Sequence, residues 1–170
     1  MSSDGMPGGP VTIPLADVRA GSPGGWAAYV AGVFWALSEA GYAVPGADVA
    51  VASSVPVGAG LSSSAALECA VGAALSDLAG LDLLGTSGGR TELASLCQRA
   101  ENDIAGAPTG GMDQLASMLG RRGHALLLDC RDATTDAVPF DLAAHGLALL
   151  VIDTRAPHAL VDGQYAARRH

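Results

Sequence analysis

The chain has 170 residues, 49% of them hydrophobic and 15% charged, which is enough apolar material for one core and too much for a disordered segment. A net charge of −8 argues against a general nucleic-acid surface, which needs basic groups against phosphates, and no apolar run is long enough to cross a bilayer. The complete absence of lysine excludes, for this stretch, a Walker P-loop, the strand lysine of protein kinases and a Schiff-base lysine.

In chain order, residues 1–10 are rich in Gly, Pro and Ser and read as a flexible start. Residues 11–18, interrupted by Pro14, suit an edge strand or a turn. Residues 26–40 read as a helix, because Trp26, Tyr29, Val30, Val33, Phe34 and Leu37 recur at steps of three and four, and Gly41 is a suitable stop. Residues 48–54 alternate as a strand. Residues 62–79 form a second helix with Leu67, Val71, Leu75 and Leu78 inward. After a loop at 81–90, Thr91 is expected to cap a third helix running to Ile104. A loop broken by Pro108 and glycines leads to a short helix at 112–119. Strands follow at 124–130 and 147–153, and the tail from Pro157 reads as helical. No repeat or internal boundary divides the chain. The order is mixed α+β rather than regular βαβ. Cys69, Cys97 and Cys130 are odd in number and far apart, with no C-x-x-C, and read as buried free thiols. A soluble cytoplasmic monomer is the plain expectation, with no nucleic-acid or membrane partner.

The segment Pro56-Val57-Gly58-Ala59-Gly60-Leu61-Ser62-Ser63-Ser64-Ala65 lies between an expected strand and an expected helix. Glycines let backbone approach a ligand, and a helix N-terminus offers unpaired N–H groups and the positive end of its dipole, so the pair makes an anion site. Three serines bring hydroxyls to the same place. An ordinary strand–helix turn with Ser62 as N-cap is the alternative on spacing alone. A Rossmann loop would need a third glycine where Ser63 stands. The whole segment resembles the phosphate-binding motif of the GHMP kinases. That resemblance implies that Gly58, Ala59, Gly60, Leu61, Ser62, Ser63 and Ser64 hold ATP, with the Ser64 hydroxyl at Mg2+.

A second segment, Ala100-Glu101-Asn102-Asp103-Ile104-Ala105-Gly106-Ala107-Pro108-Thr109-Gly110-Gly111-Met112-Asp113-Gln114, carries two acids in different settings. Phosphoryl transfer needs a hard cation on oxygen ligands and a group that orients or deprotonates the attacking hydroxyl. Glu101 suits the first task. Asp113, at a helix start where the dipole keeps it ionised, suits the second. On spacing alone, Glu101 could be a solvated surface acid and Asp113 a helix N-cap. The segment is similar to the signature of galactokinases within the GHMP superfamily. The resemblance implies that Glu101 binds magnesium, that Asp113 is catalytic beside the anomeric hydroxyl, and that Gly110 touches galactose. Thr109 stands where many members have Cys, and Gly111 where Ile is usual.

Further matches lie at 26–33, at 123–131, and at Asp153-Thr154, His158, Leu160, Tyr165 and Arg168-Arg169. His158 reads as a structural or capping residue, and the two arginines as solvated. The opening Gly-Arg-x-Asn-x-x-Gly-Glu-His-x-Asp motif and the closing glycine-rich loop of the family are absent. The expected fold is the α+β core of a GHMP kinase N-terminal domain (ribosomal protein S5 domain 2-like), truncated over residues 1–170, with the C-terminal GHMP domain essentially absent. The activity implied is ATP-dependent phosphorylation of D-galactose at its anomeric hydroxyl, with ATP and Mg2+. These residues alone are expected to be inactive or nearly so, for want of the arginine and most sugar partners. A GHMP kinase for another sugar, such as N-acetylgalactosamine or arabinose, and a non-catalytic nucleotide-binding or regulatory relic are the alternatives.

Overall fold

The computed structural model describes residues 2–3 and 10–152. Strand β1, Ser2–Ser3, pairs in parallel with β2, Ala50–Val51. The expected flexible start therefore contributes a strand. The expected strand at 48–54 shrinks to two residues; among the described residues only Ser2 and Ser3 pair with it. Residues 11–18 form no strand, and Leu15–Asp17 closes instead as a single 3-10 turn after Pro14.

Helix α1, Trp26–Glu39, is apolar nearly all round and is buried on several sides, as such a helix must be. It packs against α2 (Ser63–Leu78), α3 (Ser87–Arg99) and the π-helical turn Ala100–Ala105 that continues α3. Gly32 permits the last contact, since a Cβ there would lie 3.0 Å from Ala100 Cβ and 3.1 Å from its carbonyl oxygen. In α2 the buried face is Ala65, Glu68, Cys69, Val71, Gly72, Leu75 and Ser76. Leu78, expected inward, is 61% exposed, because the helix ends there and its side chain falls past the last packed turn. Helix α3 begins four residues earlier than expected. Thr86 is the N-cap, its hydroxyl accepting from Gly89 N at 3.0 Å, and Thr91 lies inside the helix, its hydroxyl donating to Ser87 O.

Helix α4, Met112–Leu119, closes the helical layer against α2 and α3. The hairpin of β3 (His124–Asp129) and β4 (Thr134–Pro139) follows, antiparallel, with His124 opposite Pro139 and Asp129 opposite Thr134. Residues 147–152 of the strand expected at 147–153 are irregular and exposed, and among the described residues no strand pairs with them. The expected tail helix, Asp153, Thr154, His158, Leu160, Tyr165, Arg168 and Arg169 lie outside the described residues.

The core joins Val30, Val33, Phe34 and Leu37 of α1 to Cys69, Val71 and Leu75 of α2 and to Leu93, Leu96 and Cys97 of α3. Cys69 and Cys97 are buried free thiols as expected, whereas Cys130 is exposed because it sits at the hairpin turn. Among the described residues, no helix is long and apolar enough to cross a membrane.

Candidate active site

The glycine-serine segment is a turn leading into α2. Gly58 (φ 75°) and Gly60 (φ 70°) take left-handed backbone, and a Cβ on Gly60 would meet nothing within 4 Å. Ser62 occupies the N-cap position but is itself left-handed (φ 55°), and its hydroxyl makes no cap bond. Ser62 is therefore the N-cap, as the alternative reading had it, but not through its side chain. The first intrahelical bond runs from Ala66 N to Ser62 O, so the amides of residues 63–65 have no partner within the helix. Ser62, Ser63 and Ser64 are half-buried.

Glu101 is not a surface acid. It lies in the first part of the π turn, 2% exposed. Its Oε2 accepts from Thr109 Oγ1 at 2.8 Å and from Gln114 Nε2 at 2.7 Å. Gln114 Nε2 also donates to Glu68 Oε2 at 2.9 Å, and Glu68 is fully buried. Oε1 of both acids is buried without a partner. Burial, and then the charge of Glu101, push the Glu68 carboxyl up to about 9; the Gln114 bond opposes the shift. Tyr29 of α1 is raised for the same reasons, burial first, then the charges of Glu101 and Glu68. Glu68 lies one turn beyond Ser64 on α2, so the two share a side of the helix. Hydrogen bonds thus join Glu68, four residues after Ser64 on the same helix, to Glu101 through Gln114.

Asp113 is in the first turn of α4, half-buried, next to Gln114 in sequence. The N-cap of α4 is Gly111, left-handed at φ 77°, so Asp113 is not the cap. The loop that aims it is pinned at Thr109. Thr109 N donates to Asn102 Oδ1 at 2.8 Å, and Thr109 O accepts from Gln98 Nε2 at 3.1 Å. A Cβ on Gly111 would stand 2.5 Å from Gln98 Oε1, so Gln98 fills the space that a side chain at 111 would take. Gly110 is exposed and borders an open groove of about 420 Å³, which Gln98, Leu128, Arg131 and Asp132 also line.

Sequence reasoning named Glu101 and Asp113 but passed over Glu68, Gln114, Tyr29 and the hydroxyl of Thr109. The available signal was Glu68 itself, an acid inside an apolar helix face four residues after Ser64. A buried acid of this kind, with a strongly shifted pKa beside a second acid, is a common mark of a functional site.

The profile of the GHMP kinases N terminal domain matches residues 28–121. The galactokinase of Streptomyces coelicolor is 54% identical over 160 residues, spanning 94% of this chain and 40% of the relative. That of Mycobacterium tuberculosis is 48% identical over 161 residues, spanning 95% of this chain and 43% of the relative. Among solved structures, Lactococcus lactis galactokinase complexed with galactose superposes with a TM-score of 0.68 at 33% identity, over 84% of this chain and 35% of that one. The chain thus spans about two fifths of the length of the curated relatives it matches.

Proposed function

The chain belongs to the GHMP kinases, and on that premise we propose that it serves ATP-dependent phosphorylation of D-galactose at the anomeric hydroxyl, as the galactokinase segment that carries the nucleotide loop and the two acids. The observation that carries the reading is the hydrogen-bonded bridge from Glu68, one turn after Ser64 on α2, through Gln114 to the buried Glu101 carboxyl group with one unpartnered oxygen. In this reading Gly58, Ala59, Gly60, Leu61 and the hydroxyls of Ser62, Ser63 and Ser64 surround the phosphates of ATP, whose charge the unpaired amides at the start of α2 attract.

The residues fit Mg2+ in donor chemistry. Glu101 Oε1 is a hard carboxyl oxygen, buried and unpartnered. Glu101 and Ser64 would hold the ion, which would neutralise charge on the phosphates. Asp113 orients or deprotonates the sugar hydroxyl, and Gly110 lets the sugar approach the backbone. The reading carries with it a cytoplasmic monomer working on small molecules.

The test is a chimera in which this segment replaces its counterpart in the Streptomyces coelicolor relative. Galactose 1-phosphate should form from galactose and ATP, and Asp113→Ala should lower turnover by about 10²–10⁴ with little change in ATP affinity, the range for loss of a general base. A chimera that folds and binds nucleotide but phosphorylates only a different sugar would overturn the galactose assignment. One that binds nucleotide and phosphorylates nothing would support a regulatory relic instead.

A further inference from the structure

We infer that Gln114 is the positioning residue for Glu101: by bridging Glu101 to Glu68 it pins one carboxylate oxygen and turns the other toward the metal. The inference rests on the reading above. Gln114 is 1% exposed, and its one side-chain nitrogen donates at 2.7 Å to Glu101 and at 2.9 Å to Glu68. The amide nitrogen, with two hydrogens, faces an oxygen of each acid. Thr109 Oγ1 adds a second donor to the same oxygen of Glu101. Glu101 Oε2 is therefore held by an amide and a hydroxyl while Oε1 is left free. A carboxylate that ligates a cation through one oxygen is usually fixed in this way through the other, and loss of such a partner typically costs 10–100-fold in metal affinity.

A purely structural role explains the arrangement poorly. Two buried acids around one amide are costly, and three well-packed apolar side chains would be as stable or more so. The bridge also joins three separately placed pieces at a single side chain: α2, which begins with the serine loop; the π turn, which carries Glu101; and α4, which carries Asp113.

Mn2+·ATP is the probe, titrated into the 170-residue chain and followed by electron paramagnetic resonance, beside metal-free ATP in EDTA. Gln114→Met keeps the length and removes the donors. It should raise the Kd for Mn2+·ATP at least tenfold and leave that for metal-free ATP within twofold. Equal losses in both arms, or none in either, would overturn the inference. A wild-type chain indifferent to metal would instead overturn the metal reading above. Should Gln114→Met fail to fold, the wild-type chain still decides. The Gln114 side-chain NH2 signals in a ¹H–¹⁵N spectrum should move with Mg2+·ATP and stay still with ATP in EDTA; signals that stay still in both would sink the proposal.

Discussion

The helical layer and the hairpin use similar apolar residues to opposite effect. Every buried hydrophobic among the described residues lies between Val18 and Leu115. From residue 120 to 152 none is buried: Leu127 is 62% exposed, Phe140 51%, and Leu149 76%. Four helices can each present apolar surface to two or three others, whereas a two-stranded hairpin has two faces and covers neither by itself. The same contrast governs charge. In the helical layer, burial raises Glu68, while in the hairpin, hydrogen bonds from Arg131 to Asp129 and from Thr134 to Asp132 pull those exposed carboxylates down. An apolar or acidic residue here takes its behaviour from what covers it.

The contrast can be broken most sharply in the core. Leu93, fully buried on α3, truncated to Ala should cost about 2–5 kcal/mol in urea unfolding, the usual range for a core Leu. If Leu93→Ala cost no more than an exposed substitution, the helical layer would not be the stabilising unit.

The pH dependence sharpens the same contrast. Glu68 holds its proton more tightly folded, at about 9, than unfolded, near 4.5. Its contribution is thus fully present below about pH 4.5 and is lost as pH rises toward 9. Glu68→Gln should flatten the fall of stability across that window. Asp129 has the opposite sign, stabilising above its ordinary 3.8 and losing that contribution as pH falls. A wild-type profile flat from pH 5 to 9, measured by denaturant midpoints, would contradict the burial of Glu68.

Gly111→Ala should cost about 1–2 kcal/mol through its left-handed backbone alone. It should also push Gln98 off Thr109 O, seen as a shift and faster exchange of the Gln98 side-chain NH2 signals. Smallest of all, Leu127→Ser in the hairpin should change stability by no more than about 0.5 kcal/mol; a loss of 2 kcal/mol or more would mean that this strand face is covered after all.

Local chemistry made much of the molecule legible. The three- and four-residue spacing marked α1, the glycines and serines marked the turn into α2, and the loop ending at Gly111 marked the start of α4. Where the local signal was weak, the reading failed. Gly88 and Gly89 discourage a helix, yet α3 includes both. A Cβ on Gly89 would come within 2.3 Å of Leu83 O, so the glycine is there to let two backbone segments meet. Thr134–Pro139 has no apolar alternation and becomes a strand only because β3 pairs with it, whereas residues 147–152 have the composition of a strand and find no partner among the described residues.

The sequence by itself determined the family resemblance and which residues could carry the chemistry, because glycine conformations, helix starts and acid types are properties of short segments. Only the tertiary structure decided that Glu101 is buried, that Glu68 stands beside it and that one glutamine holds both. Residues 68, 101 and 114 are far apart along the chain, and the packing of α2, the π turn and α4 alone brings them within hydrogen-bond reach, where burial raises the Glu68 carboxyl.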